Sequence, residues 1–172
     1  MQRAMRGFLG PRDIFRNPEA VFRQFEPTDG NSPFDLILSH SGKNFAVMGM
    51  HFKIGLYEHQ SAGALQGLLN LLQQDPSLAA DPEKITSIHI TAYEPAFSII
   101  GDPAKRDPTT RQSADHSMVY IVSTMLRKAS EIIESEGVAL FEKSNDDVWM
   151  RLMLTPFDFD ADAIDNKTTR AI

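Results

Sequence analysis

Two segments of the chain carry the residues best suited to proton transfer and to binding an anion. In the first, Lys53 precedes the pair Glu58 and His59; in the second, a charged, proline-containing loop leads to Asp115 and His116. A histidine beside a carboxylate can act as a general acid or base near neutral pH. Both pairs lead into a segment with helical periodicity. We expect Asp115 and His116 in the first turn of their helix, where free N–H groups favour a carboxylate ligand. The pattern predicts a site for a small polycarboxylate.

Ordinary structural roles compete with this interpretation. A histidine at a helix start can serve as a cap or hydrogen-bonding residue. The basic residues Lys105, Arg106 and Arg111 lie among acidic ones, as is common in solvated loops. The chain has five histidines: His40, His51, His59, His89 and His116. Their spacing matches no compact metal-binding motif, so we expect no metal ion.

Composition narrows the classes of function. The chain has 172 residues, of which 42% are apolar, and it can bury a sizeable core as one domain. It has no cysteine, which excludes disulfides, thiolate zinc sites, cysteine-bound iron–sulfur clusters and cysteine nucleophiles. The net charge of −6 argues against a nucleic-acid or anionic-membrane surface. Without a secretory signal or a membrane-length apolar run, we expect a cytoplasmic protein that contacts no membrane.

Apolar spacing predicts two main helices. Residues 61–73 place Leu65, Leu68, Leu69 and Leu72 on one face, and residues 113–130 repeat the pattern with Met118, Ile121, Val122, Met125, Leu126 and Ala129. Shorter helices are expected at 18–25, 94–100 and 148–154, with partly helical structure at 131–147 that is broken at Gly137.

Strand signals complete the predicted fold. Residues 34–40 and 45–54 flank a turn and are expected to pair as a hairpin, and residues 85–93 alternate between apolar and polar side chains. We therefore expect one α+β domain over residues 1–172. It would be a two-layer sandwich with a small antiparallel or mixed sheet and helices packed on one face.

Three of these segments resemble a known family. In order, the segments Phe52-Lys-Ile-Gly…Glu58-His-Gln-Ser-Ala62, Ile85–Thr91 and Ser113–Val122 are similar to the C-terminal half of the MmgE/PrpD family. That family includes 2-methylcitrate dehydratase and cis-aconitate decarboxylase. The resemblance extends over about residues 7–172 and implies a smaller lid domain. The family's large all-helical N-terminal domain would be absent, to be supplied in cis or trans.

The resemblance also implies a reaction. It would be the iron–sulfur-independent removal of water from a tricarboxylic acid in propionate catabolism, with no cofactor, by a chain that has little activity alone. The implied catalytic residues are His59, His116 and Asp115, and the implied substrate-binding residues are Lys53, Gln60 and Arg111. A related activity such as cis-aconitate decarboxylation, or a non-catalytic interaction module or remnant, remains an alternative. Self-association as at least a dimer is expected, because the missing domain would leave an apolar patch exposed.

Overall fold

The computed structural model describes residues 2–10 and 46–172, which fall into two compact units. The described part of the first unit, Met1–Phe52, contains helix α1 (Gln2–Met5) and a 3₁₀ turn at Ala46–Gly49. The second unit, Lys53–Ile172, contains α2 (Ala62–Gln74), α3 (Glu94–Ile100), α4 (Arg111–Ala114), α5 (Met118–Glu136), α6 (Asn145–Leu152), α7 (Ala161–Ile164) and α8 (Lys167–Ala171). Its 3₁₀ turns are His59–Ser61, Pro76–Ala79, Pro82–Lys84, Pro103–Lys105, Val138–Glu142 and Pro156–Phe159.

Helices α2 and α5 form the centre of the second unit. Leu65, Leu69 and Leu72 of α2 are buried, and α5 buries eleven of the fifteen residues from Met118 to Ile132. The two helices contact each other, and α5 also contacts α6 and α8. The predicted leucine and methionine faces are therefore the core-facing surfaces, as the 3.6-residue period requires. Helix α3, at residues 94–100, is also confirmed.

Helix α5 has a defined start and a defined end. The buried Ser117 hydroxyl accepts a hydrogen bond from the Tyr120 amide at 3.2 Å, which caps the N-terminus. At the other end Gly137 has φ 77°, a conformation that L side chains rarely adopt, and its amide bonds to the Ile133 carbonyl. The predicted break at Gly137 is confirmed.

A buried carboxylate fastens the C-terminal part of the chain to α5. Asp158 is 8% exposed and accepts a hydrogen bond from the Lys128 ammonium at 2.9 Å and one from the Thr155 amide at 2.8 Å. The Tyr120 hydroxyl donates to the Asp158 carbonyl at 2.6 Å, and Arg127 lies 3.6 Å from the same carboxylate. Because the charge is paired and hydrogen-bonded, it can be buried, and it holds the 3₁₀ turn against α5.

The predicted α+β sandwich is wrong. Residues 2–10 and 46–172 contain no β-strand. Residues 46–49 form a 3₁₀ turn, and residues 85–93 lie outside regular secondary structure with no backbone partner among the described residues for positions 86–92. Alternation alone does not make a strand, because the backbone groups also need a neighbouring chain. The predicted strand 34–40 and helix 18–25 lie outside the described residues.

Two helix boundaries also differ from expectation. Asp115 and His116 are not in the first turn of a long helix, because the sequence forms α4 and then restarts as α5 at Met118. The reason is a pair of caps: Thr110 and Ser113 close a capping box around α4, and Ser117 opens α5. The last predicted helix begins earlier, at Asn145, and ends at Leu152. No described helix is both long and apolar enough to span a bilayer.

Candidate functional site

Glu58 organises the first histidine segment. It caps the 3₁₀ turn at His59–Ser61, and its carboxylate accepts a hydrogen bond from the Gln60 amide at 2.7 Å. The same carboxylate lies 2.9 Å from His59 Nδ1. The Glu58 side chain is 15% exposed, whereas that of His59 is 73% exposed. The N–H groups of this turn were expected to bind a ligand carboxylate, but the Glu58 carboxylate of the chain itself occupies them. Glu58 also holds His59 in an exposed position.

Asp115 and His116 form the second pair, in the connection between α4 and α5. The Asp115 carboxylate is hydrogen-bonded to His116 Nδ1. Their side chains are 27% and 49% exposed, respectively. An ionised carboxylate only accepts hydrogen bonds, so the neutral imidazole in each pair carries its proton on Nδ1 and leaves Nε2 as an acceptor. In both histidines, therefore, Nδ1 faces the carboxylate and Nε2 is the nitrogen that a ligand can reach.

A single backbone hydrogen bond joins the two pairs. The Glu58 amide donates to the Asp115 carbonyl at 3.2 Å, which places the two segments side by side. The turn before α2 is thereby connected to the turn before α5. Two histidine–carboxylate pairs, distant in sequence, share one region of the surface.

Lys53 is held by a neighbouring tyrosine. Its ammonium donates to the Tyr57 carbonyl and lies 4.5 Å from the centre of the Tyr57 ring, a cation–π contact. Tyr57 packs edge-on against Trp149 with 5.7 Å between ring centres, and burial raises the pKa of its phenol. Gly55 has φ 113°, and a Cβ there would lie 3.3 Å from the Tyr57 ring, so the turn requires glycine.

Gln60 and Arg111, also predicted to bind substrate, have different surroundings. The Gln60 side-chain oxygen is buried and has no hydrogen-bond partner among the described residues. Arg111 is exposed and is the first residue of α4. A buried acceptor without a partner is uncommon in folded proteins.

A cavity of about 350 Å³ adjoins His116. Its lining consists of Lys105, Thr110, Gln112, Ser113 and His116. It offers a cation, two hydroxyls, an amide and an imidazole, a combination that suits a carboxylate. The Lys105 ammonium currently donates to the Ile99 carbonyl.

The structure brings together only part of the predicted site. His59, Gln60, Asp115 and His116 lie on the two joined turns. Lys53 and Arg111 do not line the cavity. Sequence reasoning assigned no role to Gln112 or Thr110, and weighed Lys105 only as part of a basic cluster. The sequence signal that could have identified these cavity residues is their proximity to His116.

No metal-binding group of three or more histidine, aspartate or glutamate side chains forms within the described part of the chain. The potential ligand groups of the site are instead the two histidine–carboxylate pairs and the lysine of the cavity. This arrangement can exchange protons and hold an anion.

Residues 57–135 match the MmgE/PrpD C-terminal domain. This range includes both histidine–carboxylate pairs, the cavity and helices α2 to α5 up to Ser135, but not Lys53. No match was found among curated proteins or among solved structures. The predicted family resemblance and its C-terminal position are confirmed: residues 57–135 match the C-terminal domain of the MmgE/PrpD family.

Proposed function

We propose that this chain is part of a cytoplasmic 2-methylcitrate dehydratase-like enzyme, which removes water from a tricarboxylic acid in propionate catabolism. The observation that carries the proposal is the hydrogen bond between Glu58 and Asp115, which sets two histidine–carboxylate pairs side by side within the matched domain. Paired acid–base groups are what an elimination of water requires.

The reaction needs two proton transfers. A base removes a proton from the carbon next to a carboxylate, and an acid protonates the departing hydroxide. We assign proton transfer to His116, whose Nδ1 is held by Asp115 and whose Nε2 is left to face the substrate. His59, oriented by Glu58, transfers the second proton or binds a carboxylate. The absence of cysteine agrees with a mechanism without a cysteine-bound iron–sulfur cluster.

The substrate carboxylates need positive or hydrogen-bonding partners. Lys105 supplies the cation in the cavity beside His116, with Thr110 and Gln112 as neutral donors. Gln60, Arg111 and Lys53 remain proposed binding residues. Lys53 would have to leave its contact with Tyr57 to reach a ligand.

The proposed site is incomplete without a second domain. His59 and His116 are 73% and 49% exposed, so water surrounds both imidazoles. Electrostatic and acid–base catalysis is stronger where water is excluded. An all-helical domain, joined in cis or added in trans, would cover this surface, and we expect little turnover from the chain alone.

The test is reconstitution with an all-helical domain of a family member. The mixture is given 2-methylcitrate, and the ultraviolet absorbance of the new conjugated double bond is followed. We expect turnover only in the mixture. His116→Ala should lower kcat by about 10²- to 10⁴-fold, the usual contribution of one general acid or base, with the thermal unfolding midpoint preserved. His51→Ala is the matched control, since His51 is an exposed histidine outside the matched domain.

The outcomes are distinguishable. If His116→Ala leaves kcat per folded enzyme unchanged but lowers the thermal unfolding midpoint, the histidine is a structural residue. Release of carbon dioxide instead of water would assign a decarboxylase. If the complex forms and binds tricarboxylates but turns over none of them, the chain is a non-catalytic interaction module.

A further inference from the structure

The cation and one hydroxyl of the cavity beside His116 come from the two ends of a short loop. Lys105 ends a 3₁₀ turn that Asp102 caps, and Thr110 caps α4 in a capping box. Each end is therefore fixed locally. The distance between the ammonium and the hydroxyl depends on the residues that join the two ends, 106–109, which we call the link.

Arg170 of α8 holds the link. Its Nη1 donates a hydrogen bond to the Asp107 carboxylate, and its Nη2 donates one to the Pro108 carbonyl at 3.0 Å. Its Nε donates to the carbonyl of Ile164, the last residue of α7, at 2.9 Å. The planar guanidinium thus joins α7 and α8 to the link through three groups at once, which the point charge of a lysine does not do.

The hydrogen bonds to the two carbonyls are the stronger part of this contact. The Asp107 side chain is 80% exposed, and an exposed ion pair contributes little. Pro108 and Ile164 are buried residues, and a partly buried carbonyl that loses its donor costs more free energy than a lost surface pair.

The packing around the link increases its dependence on Arg170. A cavity of about 260 Å³ is lined by Asp107 and Pro108 of the link, by Tyr120 and Ser123 of α5, and by Arg170 itself. The described residues of α5 therefore leave part of the link unpacked. Helix α7, to which Arg170 is bonded, also contacts α4, which carries two further lining residues of the cavity beside His116.

We propose that Arg170 is a positioning residue for substrate binding: by fixing the link, it sets the distance between the Lys105 ammonium and the Thr110 hydroxyl so that both reach one carboxylate. Arg170 is not among the described residues that line the cavity beside His116, so it acts through the link. The inference rests on the proposed function and adds a residue outside the matched domain. Because Asp115 holds His116 separately, Arg170 should affect binding more than proton transfer.

Steady-state kinetics of the full chain, reconstituted with the all-helical domain and given 2-methylcitrate, test this role. Arg170→Ala should raise KM by about 5- to 10-fold and change kcat per folded enzyme by less than about 2-fold, as expected for a loss of binding alone. Arg170→Lys should keep most of the increase in KM, because an ammonium does not bridge the two carbonyls. Arg170→Lys is also the variant to use if Arg170→Ala does not fold.

Arg151→Ala is the matched control. It removes the same type of side chain from an ion pair with Glu136, and both of those side chains are 48% exposed. Glu136 is the last residue of α5, roughly 27 Å along the helix from Met118 at 1.5 Å per residue. The control should change neither KM nor kcat.

A double-mutant cycle shows whether Arg170 acts through Lys105. Lys105→Ala should raise KM by about 10- to 100-fold, the usual value of one hydrogen bond to a charged group. Two residues that act through one another are not additive. In the Lys105→Ala background, Arg170→Ala should therefore raise KM by a much smaller factor than it does alone.

Hydrogen exchange of the full chain by itself gives a readout that needs no second domain. The Lys105 and Arg106 amides donate backbone hydrogen bonds at 2.9 and 3.2 Å within and after their 3₁₀ turn. Arg170→Ala should speed their exchange by about 10-fold, with exchange in the middle of α5 unchanged, because only the loop loses its anchor. Arg151→Ala should leave these two amides as they are.

The proposal is overturned if Arg170→Ala and Arg151→Ala give the same loop exchange, or if the effect of Arg170→Ala on KM adds fully to that of Lys105→Ala. Turnover with an unchanged KM in Arg170→Ala would refute the role of Arg170 and leave the proposed function standing. A lack of turnover in the unmodified mixture would refute the proposed function and, with it, the role of Arg170 in substrate binding.

Discussion

Truncation of Met125 should destabilise the protein without touching the candidate site. Met125 is 0% exposed and lies in the middle of α5, in the core cluster that includes Leu65 and Leu69 of α2. The change to alanine removes three heavy atoms, worth about 2 kcal/mol of transfer free energy at roughly 0.8 kcal/mol per buried group. The cavity left behind raises the cost to about 3–4 kcal/mol. That is a large part of the stability of a typical domain.

The loss is measurable by urea and thermal unfolding followed by circular dichroism. For a chain of this size the midpoint falls about 2–4 °C per kcal/mol, so Met125→Ala should lower it by roughly 6–16 °C with an unchanged urea m-value. Met150→Ala is the control, because Met150 is 54% exposed on α6. It should change the free energy of unfolding by no more than about 0.5 kcal/mol.

Equal effects of the two methionine variants would refute the assignment of α5 as the central helix. A small loss from Met125→Ala with a changed m-value would mean that the native state already unfolds in parts. Neither variant alters a residue of the cavity beside His116, so Met125→Ala should affect activity in the reconstituted enzyme only through loss of folded protein.

Two further predictions concern the residues that fasten and end α5. Burial raises the pKa of Tyr120 above its ordinary value near 10, so the folded state keeps the phenol proton longer than the unfolded state does. Its stabilising contribution is thus complete below pH 10 and is lost as pH rises through the higher folded pKa. Tyr120→Phe should make this alkaline loss of stability less steep and should cost about 1 kcal/mol at neutral pH. Urea unfolding at several pH values measures both effects, and an unchanged alkaline loss of stability would contradict the assignment. Gly137→Ala should destabilise by about 1–3 kcal/mol because of its φ of 77°. Gly67→Ala lies in the middle of α2, where a Cβ meets no atom within 4 Å, and should stabilise the protein by about 0.5–1 kcal/mol. If Gly137→Ala and Gly67→Ala shift the urea midpoint in the same direction, this account is refuted.

Sequence reasoning succeeded where the interactions are local. The leucine spacing of α2, the apolar face of α5 and the stop at Gly137 are all visible in the sequence, because helix hydrogen bonds join residues four apart. The family resemblance was likewise carried by short contiguous segments, and residues 57–135 match the expected domain. Adjacent pairs such as Glu58 and His59 needed only sequence proximity to be found.

Sequence reasoning failed where a partner distant in the chain decides the outcome. Residues 85–93 alternate like a strand, yet a strand exists only with a neighbouring one, and none pairs with it among the described residues. The start of α5 was misplaced because two competing caps, at Thr110 and Ser117, divide one periodic stretch into two helices.

The sequence by itself thus determined the apolar faces of α2 and α5, the family resemblance and the identity of the two histidine–carboxylate pairs. Only the tertiary structure decided that Glu58 hydrogen-bonds to Asp115, that Lys105 rather than Lys53 lines the cavity of His116, and that residues 46–54 and 85–93 form no strand with the part of the chain that is described. Each of these depends on which distant segments meet, and packing sets those meetings through many weak contacts at once. No short stretch of sequence contains that information.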